Sequence, residues 1–374
     1  MKRRIALLIL AMSTLLGGCS WVNQSYVSVQ PHREQRQTLQ TDVIVASDYL
    51  ELLGALEGMI ALGTEVAAIK VPEYPQDAIG YGMERAVRHS KENDPIGSYA
   101  VADIVYELGS SSGVPAVSVS ISYHHNRSEI QRIRKAADTK AAEKIVAEAL
   151  KSYEPSVVIL IDEYESRDFT QFVQDYAEEN PQTVMEIPQV SQSSYGTGRD
   201  RVLELIFTYQ TSRDSLRRMQ SQVKPVFDAA SLYVSGEGED FQKFSQLYGF
   251  LMERFEYKFE TSITPAYSLL RHGVGDSRAF ATVYAAMCRS AGLECMTVTG
   301  TRSGDPWTWN IILDDGCYYH MDLLRNNSGG QFREYTDAQM GNYVWDYSAY
   351  PACEGPEGEK VTEDSAVPEE TEKN

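Results

Sequence analysis

Hydrophobic residues between positions 45 and 235 alternate between the spacing of helices and that of strands. Residues 127–152 carry the strongest helical pattern and predict one helix that begins at Ser128. The run SVVILID at Ser156–Asp162 predicts a buried strand. Further helices are predicted over residues 50–60, 75–93, 167–179 and 211–232, and further strands over 65–71, 99–108, 114–123 and 202–209. The pattern predicts one mixed α/β domain over residues 45–235.

The chain divides near residue 236, where the pattern becomes an amphipathic helix over residues 241–255, a glycine turn and a second helix. Gly273 and Gly275 form the turn, and the second helix opens at residue 276 or 277, since Asp and Ser are both common N-cap residues. A strand over residues 293–300 follows this helix directly. This order predicts a second folded domain over residues 236–353.

A hairpin is predicted after that strand. Its strands are Trp307–Leu313 and Cys317–Leu323, and they turn on Asp315-Gly316. Asp-Gly between two apolar runs favours a two-residue hairpin turn, because both turn positions need a positive φ. The predicted order of the second domain is thus helix, turn, helix, strand and hairpin.

The N-terminal residues resemble a bacterial lipoprotein signal. Three basic residues at positions 2–4 precede an apolar run over 5–16, and Leu16-Gly17-Gly18-Cys19 has the form of a lipobox. We expect cleavage before Cys19, diacylation of its side chain, and a polar tether over residues 19–44. Residues 354–374 predict an acidic disordered tail. The predicted location is the extracytoplasmic face of the cell membrane, with the lipid bilayer as a partner.

Composition narrows the classes of function. The chain of 374 residues has 34 Lys+Arg against 53 Asp+Glu, a formal net charge of −19, which argues against nucleic acid as a partner. No phosphate-binding loop, H-E-x-x-H or G-x-S-x-G motif is present, and we predict no cofactor and no metal.

The isolated candidate residues in the first domain are better explained by ordinary structural roles than by a functional site. His124 and His125 end a predicted strand and are more typical of solvated loop positions than of metal ligands. Asp162, Glu163 and Glu165 follow a buried strand, the usual place for active-site acids in α/β folds, but such acids are also common as helix caps.

Four cysteines follow Cys19. They are Cys288, Cys295, Cys317 and Cys353, and four cysteines allow three complete disulfide pairings. The sequence selects none of them. Cys288 lies in an apolar helical stretch, which predicts a buried thiol.

Three motifs in the second domain resemble the transglutaminase-like superfamily, specifically its bacterial extracellular members. The helix opens with Gly275-Asp276-Ser277-Arg278-Ala279-Phe280-Ala281, the first hairpin strand carries Trp307-Thr308-Trp309-Asn310, and the second carries Tyr318-Tyr319-His320-Met321-Asp322. The resemblance implies a papain-like fold. In that family a nucleophilic Cys caps the helix, a His comes from the first strand and an acid comes from the second.

The chain departs from the family at two of these three positions. Ser277 stands where the family has its Cys, and Trp307 stands where it has its His, so only Asp322 is retained. The family's chemistry needs a thiolate beside an imidazole, and an indole N–H donates but does not accept a proton. We expect the indole of Trp307 to donate to Asp322. His320 is a candidate substitute base, and His272 is a weaker one.

Two hypotheses follow from the resemblance. The first is a catalytically inactive, lipid-anchored binding or scaffold protein of the cell envelope, whose remnant cleft holds a peptide, protein or peptidoglycan ligand. The second is a residual acyl hydrolase or acyltransferase that acts on peptides or peptidoglycan with Ser277 and His320 as its catalytic pair. The loss of both nucleophile and base favours the first.

Overall fold

The computed structural model describes residues 44–234, 238–326 and 331–356. The predicted leader, Cys19, the tether up to residue 43 and the tail beyond residue 356 lie outside the described residues. Residues from Val45 onward belong to one compact unit. The fold class is the predicted one, with helices packed on three four-stranded sheets. The domain boundary near residue 236 stays a prediction.

The first sheet is antiparallel where its register is resolved, and its strands run in the order β1-β2-β4-β3. Its strands and the helices between them are β1 (Ile44–Val45), α1 (Tyr49–Leu62), β2 (Val66–Lys70), α2 (Gln76–Glu92), α3 (Pro95–Ala100), β3 (Val101–Ser111) and β4 (Val114–Tyr123). Buried and exposed side chains alternate along β4 with a period of two, as expected for a half-buried sheet. The apolar side chains pack inward.

The second sheet has the order β5-β6-β8-β7. Its elements are α4 (Arg127–Ile130), β5 (Arg134–Ala136), α5 (Thr139–Lys151), β6 (Ser156–Ile161), α6 (Phe169–Glu179), β7 (Gln189–Tyr195) and β8 (Arg201–Thr208). Strand β5 pairs parallel to β6, whereas β8 pairs antiparallel to both β6 and β7. Helices α5 and α6 cover one face of this sheet with a shared apolar core.

The prediction of one helix over residues 127–152 is wrong. The segment is a short helix, α4, then strand β5, then helix α5. Asn126 caps α4 in a capping box with Glu129, and Asp138 caps α5 by accepting from the amide of Ala141 at 2.7 Å. Pairing of β5 with β6 outweighs the local helical pattern between the two caps. Strand β7, which is polar and at the sheet edge, was not predicted.

The third sheet has the order β13-β12-β11-β14. The elements from residue 213 onward are α7 (Arg213–Tyr233), α8 (Asp240–Met252), β9 (Glu256–Tyr257), α9 (Pro265–Tyr267), a π-turn (Ser268–His272), β10 (Val274–Gly275), α10 (Ser277–Ser290), β11 (Cys295–Arg302), β12 (Asp305–Asp314), β13 (Cys317–Met321), α11 (Leu323–Asn326), a 3₁₀ turn (Asp337–Gln339) and β14 (Tyr343–Val344). Helix α10 lies against β11 and β12.

The hairpin of β12 and β13 confirms the prediction of a tight turn. Asp315 and Gly316 have φ values of +43° and +77°, and the strands close with Asp314 opposite Cys317. The turn fixes the register of the hairpin, so it also fixes which side chains of β13 face those of β12.

The largest apolar cluster joins the two halves of the chain. It contains Tyr153 and Phe227 from before residue 236 and Phe244 and Tyr284 from after it, all fully or nearly fully buried. The hydroxyl of Tyr284 donates to the backbone oxygen of Phe244 at 2.9 Å. Helix α10 is thus held within a core to which both halves contribute.

Candidate functional site

The N-terminus of α10 forms the first side of the candidate site. Gly273 has a φ of +83° and ends the preceding turn. A Cβ on Gly275 would lie 2.9 Å from the Cβ of Ala279, so this close approach admits only glycine. Asp276 is the N-cap, and its Oδ1 accepts from the amide of Ala279 at 2.8 Å. Ser277 is therefore the first helical residue, where a nucleophile of the family type would stand.

Ser277 is 8% exposed and its hydroxyl has one partner among the described residues. The backbone amide of Thr308 in β12 donates to Ser277 Oγ at 3.3 Å. Within the described chain no histidine nitrogen bonds to this hydroxyl. The contact does place Ser277 against the strand position that follows Trp307, as the resemblance implies for nucleophile and base.

Asp322 accepts hydrogen bonds from an indole, a phenol and a backbone amide. The indole Nε1 of Trp307 donates to its Oδ2 at 2.9 Å, which confirms the predicted contact. The hydroxyl of Tyr343 donates to the same oxygen at 2.6 Å, and the amide of Leu324 donates to Oδ1 at 2.9 Å. The carboxylate is 1% exposed. Trp307 and Tyr343 together engage its Oδ2.

Arg302 supplies the positive charge beside this carboxylate. Its Nη1 lies 3.5 Å from Asp322 Oδ2, and the guanidinium lies over the rings of Trp307 and Tyr343, at 5.0 and 5.6 Å from their centroids. The ring of Tyr257 packs against Trp307 at 5.6 Å. Burial, and secondarily the Asp322 carboxylate, raises the pKa of Tyr343, so its phenol remains a donor. Sequence reasoning missed Arg302 and Tyr343, because neither lies in one of the three motifs.

His320 is fully buried and engaged at both ring nitrogens. The indole Nε1 of Trp309 lies 2.9 Å from its Nδ1, and Asp337 Oδ1 lies 2.8 Å from its Nε2. An indole only donates, so Nδ1 accepts and the proton of the neutral ring is on Nε2. Burial lowers the pKa of His320 more than the neighbouring Asp337 raises it. The structure does not bring His320 and Ser277 together as a pair.

His320, Asp337 and Cys353 form the one group of metal-type ligands found in the described part of the chain, with their ligand atoms within 4.8 Å of one another. A metal on Nε2 would move the ring proton to Nδ1, where it would face the indole N–H of Trp309. Burial, and secondarily Asp337, raises the pKa of Cys353 to about 12, so the thiol stays protonated. These contacts fit a hydrogen-bonded chain better than a metal centre.

Asp337 also fastens the end of the described chain. Its Oδ2 accepts from the amide of Cys353 at 3.1 Å, and its amide donates to the backbone oxygen of Cys353 at 2.8 Å. The rings of Trp309 and Trp345 pack edge to face beside His320. The chain from Trp309 through His320 and Asp337 to Cys353 thus closes one face of the third sheet.

The remaining sequence candidates lie apart from Ser277. His272 packs edge-on against Tyr267, with ring centroids 5.1 Å apart. Glu163 forms an exposed ion pair with Arg199 at 2.9 Å, and helix α6 is capped by Asp168 and not by the acids that follow β6. His125 stacks on Tyr99 at 4.0 Å. The four cysteines after residue 44 carry free thiols, and Cys288 is buried as predicted.

Comparison with known families agrees with the three motifs and the fold around them. Residues 228–345 match the model of the transglutaminase-like superfamily, and this part of the chain is a transglutaminase-like domain. No curated protein matches the chain significantly. Among the described residues, no helix has both the length and the apolar character needed to cross a bilayer.

Three solved structures are similar to parts of the chain. One is a TGase, with 8% identity and a TM-score of 0.27 over 57% of this chain. A candidate cysteine protease from Cytophaga hutchinsonii has 15% identity and a TM-score of 0.25 over 39% of this chain. A candidate protease from Parabacteroides distasonis has 10% identity and a TM-score of 0.23 over 68%. The matches cover 64%, 65% and 39% of those chains, respectively.

Proposed function

We propose that this protein is a catalytically inactive binding protein of the cell envelope, anchored by lipid on Cys19, in which the transglutaminase-like domain serves as a ligand-binding scaffold. The observation that carries the proposal is the bond from Trp307 Nε1 to Asp322 Oδ2 at 2.9 Å. The indole of Trp307 occupies the motif position of the base, and it binds the acid, Asp322, that would orient that base. The remnant cleft holds a peptide, protein or peptidoglycan strand.

Proton transfer is the step that this arrangement lacks. A serine hydroxyl has a high pKa and attacks a carbonyl only when an adjacent base takes its proton. The only hydrogen bond to Ser277 Oγ in the described chain is the one that it accepts from the Thr308 amide. The aromatic surfaces of Tyr257 and Trp307 next to it are suited to contact with a bound chain.

The alternative of a Ser277–His320 hydrolase has no supporting contact. His320 would have to release Trp309 and Asp337, leave a fully buried position and turn toward α10. Both released partners would lose a buried hydrogen bond, at about 1–3 kcal/mol each. The geometry therefore favours the inactive scaffold.

Activity can be tested on the purified protein with acyl-donor amides and model cross-linked peptides, beside the Ser277→Ala and His320→Ala variants. We expect the protein and both variants to match the buffer blank. Turnover above the blank that disappears in both variants would instead establish the Ser–His hydrolase.

Anchoring needs a separate test, since Cys19 lies outside the described residues. The Cys19→Ala variant should leave the membrane fraction or accumulate as the uncleaved precursor, because the lipid anchor requires the thiol of this residue. A neighbouring Ser20→Ala change is the matched control and should remain in the membrane fraction. Unchanged size and membrane retention in Cys19→Ala would overturn the anchoring proposal.

A further inference from the structure

A polar cleft lies in the first half of the chain, away from Ser277. Its volume is about 510 Å³, within the range of about 300–1,000 Å³ that small-molecule sites occupy. The floor is formed by β6 and β8 of the second sheet, where Val158 lies opposite Glu204. The walls come from Tyr99 of α3 and from the segment around α4. The cleft thus lies where elements of the first and second sheets meet.

The buried phenol of Tyr99 lacks a hydrogen-bond partner in this cleft. Tyr99 is 4% exposed, and its ring is fixed by a parallel stack on His125 at 4.0 Å and an edge contact with Tyr195 at 5.3 Å. Its hydroxyl makes no hydrogen bond with any described residue. The hydroxyl therefore opens into the cleft, where solvent or a ligand can bond to it.

The carboxylates of the cleft differ in how far they are neutralised. Glu154 accepts two hydrogen bonds from Arg134, at 2.8 and 2.7 Å, and is fully paired. Glu204 accepts only from the neutral hydroxyl of Tyr195, at 3.0 Å, and no cation pairs with it in the described structure. Glu129 accepts from the amide of Asn126 and lies 4.0 Å from His125. Glu129 and Glu204 therefore bring two negative charges to a cleft in which Arg132 is the one unpaired cation of the described lining.

The electrostatic environment of Tyr99 is also negative. Burial, and secondarily Glu204 and Glu129, raises the pKa of Tyr99 to about 12, and no cation lowers it. A guest that carries positive charge and hydrogen-bond donors would satisfy both carboxylates. The net charge of −19 would attract such a guest over long range.

We propose that this cleft is a binding site for a small organic cation that carries a primary ammonium group. The ammonium donates to Glu204 and Glu129, and the Tyr99 hydroxyl provides a third, neutral contact. Arg132, whose side chain has no hydrogen-bond or ionic partner among the described residues, lies at the wall, where it would contact an anionic group of a zwitterionic guest. The inference is independent of the chemistry at Ser277.

The test is isothermal titration calorimetry of the purified full chain with 1,4-diaminobutane, beside 1,4-butanediol as its uncharged counterpart. We expect saturable binding of one diamine and none of the diol. Glu204→Gln should raise the dissociation constant of the diamine about tenfold or more, because a charged hydrogen bond is lost. Tyr99→Phe should raise the dissociation constant by a smaller factor.

A matched control separates the cleft from general attraction to an acidic surface. Glu107 is exposed on β3, and its side chain has no hydrogen-bond or ionic partner among the described residues, so Glu107→Gln removes the same charge outside the cleft. This variant should bind as the parent does. Circular dichroism of each variant checks that it is folded, and Glu129→Gln, which preserves the capping box, provides a second cleft variant. Absent binding, equal binding of the diol, or equal weakening by Glu107→Gln and Glu204→Gln would each overturn the proposal.

Discussion

Two tryptophans two residues apart on β12 donate to two polar side chains two residues apart at the end of β13, with different consequences. Trp307 binds Asp322 and Trp309 binds His320, both at 2.9 Å. The Asp322 cluster contains an ion pair, because Arg302 lies beside the acid. It lies next to Ser277, since Thr308, the residue after Trp307 on β12, donates to the Ser277 hydroxyl. The His320 cluster has a neutral imidazole at its centre, which Trp309, Asp337 and Trp345 enclose.

One hairpin thus uses the same type of donor, an indole N–H, in two different ways. At Asp322 the indole stands in the motif position of a base, so the retained acid now serves the packing of Trp307, Tyr343 and Arg302. At His320 the indole fixes a tautomer and leaves no nitrogen free. Retention of an acid and a histidine near the family's site therefore does not imply retained catalysis.

The largest expected effect is the loss of the Asp322 carboxylate. Asp322→Ala leaves Arg302, Trp307 and Tyr343 without their shared acceptor, and breaking a buried charged contact in this way costs about 3–5 kcal/mol of unfolding free energy. Asp322→Asn, which keeps one acceptor oxygen, should cost less. Urea denaturation of both variants measures this. A loss below about 1 kcal/mol for Asp322→Ala would contradict the role of Asp322 as a shared acceptor.

The paired tryptophan substitutions compare the two clusters directly. Trp309→Phe removes a donor and volume from a fully buried position, and we expect a loss of about 3 kcal/mol. Trp307→Phe leaves Asp322 with Tyr343 and Arg302, so about 1 kcal/mol is expected. The same denaturation experiment gives both values. The reverse order would show that Trp307 is the more important structural contact.

Much of this second region followed from the sequence because its signals are local. Asp315-Gly316 predicts the turn, Asp276 is one of two predicted caps, and the motif positions pair Trp307 with Asp322. The break within residues 127–152 was not predicted, because β5 is stabilised by pairing with a strand more than 20 residues away. Asp138 was an available signal, since its side chain opens the second helix.

The tertiary contacts of the site could not be predicted from local sequence patterns. Arg302 ends β11 and Tyr343 begins β14, and only the pairing of these two strands brings both beside Asp322. Asp337 reaches His320 from a turn 17 residues later. No periodicity or motif marks these contacts, so the sequence left His320 as a free candidate base.

The neutral state of His320 predicts an acid-sensitive contribution to stability. Its folded pKa is lowered, so the unfolded chain binds the proton more readily, and stability falls as the pH drops below the ordinary histidine value of 6.5. His320→Gln keeps an acceptor for Trp309 and a donor for Asp337 but does not titrate. The fall in unfolding free energy between pH 7.5 and 5.5, measured with urea, should be smaller in the variant.

Measuring the parent beside the variant also cancels an opposing contribution to the pH dependence of stability, that of Glu334. Burial and the neighbouring Asp314 raise the pKa of Glu334 to about 7, so this group stabilises the protein as the pH falls. Glu334 is unchanged in His320→Gln. Equal pH dependence in the two proteins would show that His320 does not resist protonation.

The smallest expected effect is at the nucleophile position itself. Asp276→Ala should cost about 1 kcal/mol, because it removes the N-cap of α10. Ser277→Ala should change the unfolding free energy by no more than about 0.5 kcal/mol, since its hydroxyl has one long hydrogen bond. Thermal or urea unfolding compares the two adjacent residues. A larger loss at Ser277 would indicate a structural contact that this account lacks.

Restoring the family's residues tests the central claim most directly, that Trp307 stands in the position of the base. The measurement is thiol-dependent acyl release from an activated amide, with Ser277→Cys, Trp307→His and the double variant compared. We expect release only in the double variant, because an imidazole at position 307 would border the new thiol and free Asp322 to orient it. A folded double variant that reacts no faster than Ser277→Cys alone would contradict the account.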